Sequence, residues 1–138
     1  MAIKHGARKK LSRKDQLSLD TRISFMEGLV RRAPDYIEAL QLLGDHYTAR
    51  GSFDDGLKVD EHLCTLEPTN PVVFYNLACS YSLTSQIDRA VFALDRALTL
   101  GYADFKWLAQ DPDLDNLRRD PIYRDIETKI RQMKIKVR

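Results

Sequence analysis

Leu40-Gln41-Leu42-Leu43-Gly44-Asp45-His46-Tyr47 is answered further along by Phe74-Tyr75-Asn76-Leu77-Ala78-Cys79-Ser80-Tyr81, every position number raised by 34. In each stretch two large apolar residues, a small one and an aromatic one occupy the same places. The correspondence continues outward. Gly51 and Gly56 are matched by Ser85 and Ala90, and Pro34 by Pro68. A fixed period of this size marks stacked supersecondary units, each with an apolar face that it cannot bury alone. Such a fold offers a surface for binding more readily than an active site.

Punctuation divides the chain into helices. A helix is expected over 20–32, broken at Pro34-Asp35, with Asp35 free to cap the next helix as far as residue 50. Gly51-Ser52 supplies a turn, and a partner helix follows over 53–66. Asn70-Pro71 is a strong start signal. The Asn oxygen can accept an orphan N–H, and Pro at the first helical position forgoes a donor that had no partner. That helix reaches residue 83, and its partner covers 86–100, ended by Gly101. Short helices are expected at 104–110 and 113–119, and a last one over 121–134. In the last helix Ile122, Tyr123, Ile126, Ile130, Met133 and Val137 recur at helical spacing.

These residues resemble the tetratricopeptide repeat (TPR) family. Leu40-x-x-Leu43-Gly44-x-x-Tyr47 with Gly56 and Pro68 looks like its pattern, and Phe74-x-x-Leu77-Ala78-x-x-Tyr81 with Ala90 and Ala97 looks like it more cleanly. Asp60 departs from the pattern, standing where an aromatic is usual, and Tyr102 replaces the closing proline. The runs Gly101 to Leu108 and Asp111 to Pro121 are similar to the segment that often ends groups of such repeats. The resemblance covers about residues 20–128. It implies an all-α fold, a right-handed α-solenoid of antiparallel helix pairs (a TPR superhelix) with capping helices. The divisions are a basic, disordered tail at 1–19, a half repeat at 20–34, repeats at 35–68 and 69–102, and a C-terminal capping segment at 103–138.

In that family the first helix of each pair lines a concave groove. The resemblance therefore implies a peptide-binding groove lined by Glu38, Gln41, Asp45 and Thr48 in the first pair. Val72, Tyr75, Asn76, Cys79, Ser82 and Leu83 line it in the second, with Lys106 and Gln110 from the short helix. Some members clamp a peptide's terminal carboxylate with Asn and basic residues. Asn76 fits one such position and Lys106 another, although Asp45 would repel a carboxylate. Asn76 can equally serve as a hydrogen bonder between helices.

The chain has 138 residues and a formal net charge of +2 that hides an asymmetry. Residues 1–14 hold six basic groups and no acid, and residues 129–138 hold five and none. The rest holds 11 basic groups against 20 acids. An acidic body is thus flanked by basic ends, read either as solvated ends or as a contact for nucleic acid or another polyanion. Cys64 and Cys79, two lone thiols, suit a reducing compartment, and a cytoplasmic location is expected. No apolar run has membrane-spanning length, and no secretory signal is read at the start.

No catalytic or metal-ligating pattern stands out. His46 and His62 lie beside acids without helical metal spacing, and there is no Cys-x-x-Cys. Asp111, Asp113 and Asp115 lack the glycine and distal Glu of a calcium loop and read as helix caps. Trp107, beside Phe105 and Leu108, reads as sealing the end of the core. The expected function is a protein–protein interaction module that binds a peptide or helix of a partner in the groove. It is expected to be no enzyme and to carry no cofactor. The alternatives are a nucleic-acid- or ribosome-associated adaptor using the basic ends, and a self-associating assembly subunit.

Overall fold

A computed structural model of the chain describes residues 10–137. It is all-α, with no strand among the described residues. Helices run α1 Arg13–Arg32, α2 Ile37–Arg50, α3 Phe53–Leu66, α4 Pro71–Leu83, α5 Ile87–Thr99, α6 Phe105–Leu108, α7 Asp115–Arg118 and α8 Tyr123–Val137, with a 3-10 turn Pro112–Leu114 between α6 and α7. Each of α1 to α4 packs on the next, and α8 packs on α5.

The period in the sequence is also a period in the structure. α2 starts at Ile37 and α4 at Pro71, one full period on, and the same interval separates the starts of α3 at Phe53 and α5 at Ile87. The turns repeat as well. Gly51 has a left-handed φ of 86°, and Ser85, its counterpart in the next unit, has φ 61°. The N–H groups of Ser52 and Gln86 close these turns on the carbonyls of Tyr47 and Tyr81, at 2.8 Å each. The Tyr47 hydroxyl donates to the Glu27 carboxylate. One period on, the Tyr81 hydroxyl donates to Glu61 at 3.0 Å. Small residues permit the close approach within the first pair. A Cβ on Gly44 would meet Val59 Cγ1 at 3.4 Å, and one on Gly56 would meet Thr48 Oγ1 at 3.4 Å.

Two apolar clusters fill the interior. One joins Leu19, Ile23 and Met26 of α1 to Leu40, Leu43, Tyr47, Val59, Leu63 and Val73. The other joins α4 and α5 to Leu108, Leu114, Leu117, Tyr123 and Ile126. Ile122, Ile130 and Met133 pack against the second, so the apolar stripe expected on the last helix covers the preceding pair from Ile122 to Met133; the side chain of Val137 lies outside the description. Trp107 is half-buried on the same cluster.

Several sequence expectations are corrected, wholly or in part. α1 starts at Arg13, well before residue 20, because Ser12 Oγ accepts the Asp15 N–H and Leu19 is buried. The helical body therefore takes in residues 13–19, and of the expected tail residues 1–9 lie outside the described residues. Asp35 does not cap α2. Tyr36 holds the cap position with no side-chain bond, and Asp35 Oδ1 faces His62 Nε2 at 3.0 Å. The last helix begins at Tyr123 rather than at Pro121, which lies in the preceding turn, and it runs on to Val137. Among the three acids read as caps, Asp111 does cap, accepting the Asp113 N–H at 3.0 Å. Asp115 pairs with Arg118 instead. Asn70 with Pro71 starts α4 as expected, Oδ1 accepting the Val72 N–H at 3.0 Å.

Candidate functional site

The residues after Gly101 decide what surface α4 offers. α6 begins at Phe105, one period after Pro71, where a third first helix would start. Pro112 lacks the N–H and the freedom to continue that helix. The chain breaks into α6, the 3-10 turn and α7, and the last two lie on α4. Asp111 is wholly buried there. Its Oδ2 accepts the Tyr75 hydroxyl at 2.6 Å and the Cys79 thiol at 3.8 Å. Ser82 Oγ accepts the Leu117 N–H at 3.2 Å, and Asn116 Nδ2 donates to the Ser82 carbonyl at 3.0 Å. Arg118 ties the segment together by donating to the carbonyls of Leu108, at 2.8 Å, and of Asp111. Tyr75 also stacks on Tyr102, with ring centroids 4.1 Å apart and planes 7° from parallel.

The expected groove residues therefore divide into two sets. Tyr75, Asn76, Cys79 and Ser82 are buried, three of them bonded to the chain's own 111–118 segment. Thr48 is buried too, its hydroxyl donating to the Gly44 carbonyl at 3.0 Å. Asn76 is 5% exposed, which leaves a terminal carboxylate no open approach to it, and its Oδ1 has no hydrogen-bond partner among the described residues. Glu38 and Lys106 are exposed, as is Gln110, while Gln41, Asp45, Val72 and Leu83 are half-buried. Leu83 lines a hollow of about 310 Å³ with Phe53, Pro112, Asp113, Asn116 and Arg119.

Sequence reasoning missed Leu42, which is 50% exposed and shares a face of α2 with Glu38 and Asp45 at steps of 4 and 3. That spacing was a usable signal, obscured because Leu42 reads as core. Phe53, Asn116 and Arg119 carried none, since only the fold of the last segment brings them to Leu83.

Burial is the main cause of the perturbed ionisations. Burial, with Asp60 and Glu61 adding to it, pushes the Cys64 thiol up to about 12, so it holds its proton at neutral pH and is a poor nucleophile. Burial likewise raises Tyr75, with Cys79 and Asp111 reinforcing the shift. His46 is lowered by burial and by Arg22, against the opposing pull of Asp45. No group of three or more His, Cys, Asp or Glu side chains among the described residues could hold a metal ion. No described helix is long and apolar enough to cross a membrane.

The basic C-terminal end is partly engaged. Lys129 Nζ donates to Asp95 Oδ1 at 2.7 Å and to Thr99 Oγ1 at 2.6 Å, and Lys134 lies over the Phe105 ring at 5.7 Å.

The chain is similar to a chloroplastic protein of Arabidopsis thaliana, with 31% identity over 123 residues, 84% of this chain and 35% of that protein. It thus spans about a third of the length of that relative. No family model matches the chain, and no solved structure matches it.

Proposed function

We propose that this chain is a protein-interaction module of the tetratricopeptide type, an α-solenoid of two full helix pairs closed at both ends by further helices. The supporting observation is the single period that recurs in helix starts, in left-handed turn residues and in the Tyr–Glu hydrogen bond. Stacking of such units builds a continuous surface suited to a partner's segment rather than to a reacting small molecule. No catalytic step and no cofactor belong to this proposal.

The binding surface is the face of α2 that carries Glu38, Leu42 and Asp45, continuing to Val72 and Leu83 on α4. The first half is acidic and the second apolar. It suits an extended or helical segment with basic residues at one end and apolar anchors at the other. Tyr75, Cys79 and Ser82 take part only by holding the 111–118 segment that forms the far wall. The proposal includes a reducing compartment, with neither Cys64 nor Cys79 in a disulfide. The relative's name assigns that protein to the chloroplast, and a fluorescent fusion decides between cytoplasm and plastid for this one.

Photo-crosslinking tests the proposal. A photoreactive residue replacing Leu42 is expected to capture a partner protein in its native cell extract, and the same residue replacing exposed Arg124 on α8 is not. Equal capture at both positions, or at neither, rejects this surface.

A further inference from the structure

A second cleft lies between α4 and α5, separate from the proposed groove. Its volume is about 520 Å³, within the range of ligand sites. Phe74, Leu77 and Tyr81 of α4 line it together with Phe92 of α5. Phe92 is 80% exposed, the most exposed large apolar side chain described. Phe74 and Tyr81 are half-buried, whereas Leu40 and Tyr47 at the matching positions of the preceding pair are buried, and Lys58 stands where Phe92 does; Leu77 is buried, as Leu43 is. The open cleft and its exposed Phe92 are therefore departures from the repeat. A large exposed apolar side chain beside an apolar hollow has a solvation cost that a partner would relieve.

The charges around it have a direction. Arg89 and Arg96 flank Phe92 on α5 at steps of 3 and 4. Neither is ion-paired among the described residues. Arg89 donates to Gln86 Oε1 at 3.2 Å, and the Arg96 guanidinium lies over the Phe74 ring at 5.8 Å. Asp95, next to Arg96 in the chain, is held by Lys129 at 2.7 Å, and the acid that lines the cleft is at the other end. Asp88 lines the cleft at the start of α5, about 12 Å along the helix from Arg96 by the rise per residue. Glu61 is engaged by the Tyr81 hydroxyl. The Arg96 end is positive and apolar at once.

We propose that this cleft docks a helix of a partner protein that presents apolar anchors followed by a carboxylate, the anchors resting on Phe74 and Phe92 and the carboxylate pairing with Arg96. The groove reading does not enter this inference, and either can fail alone.

The test uses the full chain, isotope-labelled, titrated with a helical peptide of about four turns carrying Leu at two positions four apart and Glu three positions further. Amide shifts are expected on α4 and α5 around Phe74, Phe92 and Arg96. Replacing the peptide's Glu with Lys should weaken binding about twofold to fivefold, the scale of one partly exposed charge pair. Phe92→Ala should remove the shifts, and Arg96→Gln should abolish the preference for Glu over Lys. Circular dichroism would establish that both variants keep the helical fold. Shifts elsewhere, no shifts at about 1 mM peptide, or equal affinity for the Glu and Lys peptides would overturn the proposal.

Discussion

Tyr75→Phe isolates the bond that holds the C-terminal segment on α4. The ring can keep its stack on Tyr102, so the substitution removes one hydroxyl and little packing. That hydroxyl donates at 2.6 Å to Asp111 Oδ2, on a side chain with no solvent exposure. The remaining donor to that oxygen is the Cys79 thiol at 3.8 Å, a weak one. A hydrogen bond to a charged group contributes about 1.5–3 kcal/mol, and a buried acceptor left short of donors sits at the upper end. At about 2.1 cal/mol/K per residue, a chain of this length loses about 3–4 °C of Tm per kcal/mol, so the melting temperature should fall by about 5–10 °C. Differential scanning calorimetry measures this. Amide exchange adds a local readout, because the Leu117 N–H, bonded to Ser82 Oγ, should lose protection more than amides of α2. A fall of less than about 2 °C, with Leu117 exchange unchanged, would refute the view that this bond anchors the segment.

Deleting the chain after Asp120 removes Tyr123 and Ile126 from the second cluster and takes away the helix that packs on α5; the product should aggregate or melt far lower, and a soluble product with unchanged melting would exclude α8 as a cap. Gly51→Ala should cost about 1–2 kcal/mol from its left-handed φ alone, since a Cβ there meets nothing within 4 Å, whereas Ser85→Gly should stabilise by up to about 1 kcal/mol. Denaturant titrations check both signs. Tyr47, Tyr75, Tyr81, Tyr102 and Tyr123 are all raised above the ordinary tyrosine value, chiefly by burial. The folded chain therefore holds more protons than the unfolded one at high pH. Stability from these groups is complete below about pH 10 and declines as pH rises beyond it, where unfolded tyrosines ionise. Unfolding free energies that stay level or increase from pH 10 to 11 would contradict this.

The repeat was legible because its signals are local. Gly and Pro punctuation, the Asn70-Pro71 start and the paired apolar–small–aromatic spacing located α2 to α5 within a residue or two. The start of α1 was missed because residues 12–19 are polar except for Leu17 and Leu19, so the Ser12 cap had little periodicity behind it. Asp35 looked like a cap by type, but its carboxylate faces His62, 27 residues away, which no local reading reveals. The groove was the least legible part. Spacing showed which residues share a face of α4, but not that the chain beyond Pro112 would lie on that face. Burial of Tyr75, Cys79 and Ser82 follows from contacts 32 to 36 residues distant.

The central claim is that a partner's segment binds along Glu38, Leu42 and Asp45 toward Leu83. Isothermal titration calorimetry of the segment captured by crosslinking tests it most directly, comparing the wild-type chain with Glu38→Lys/Asp45→Lys. The account predicts at least about tenfold weaker binding for the double variant, a loss of about 1.4 kcal/mol or more, with its helical content retained. Unchanged affinity in a folded double variant would contradict it.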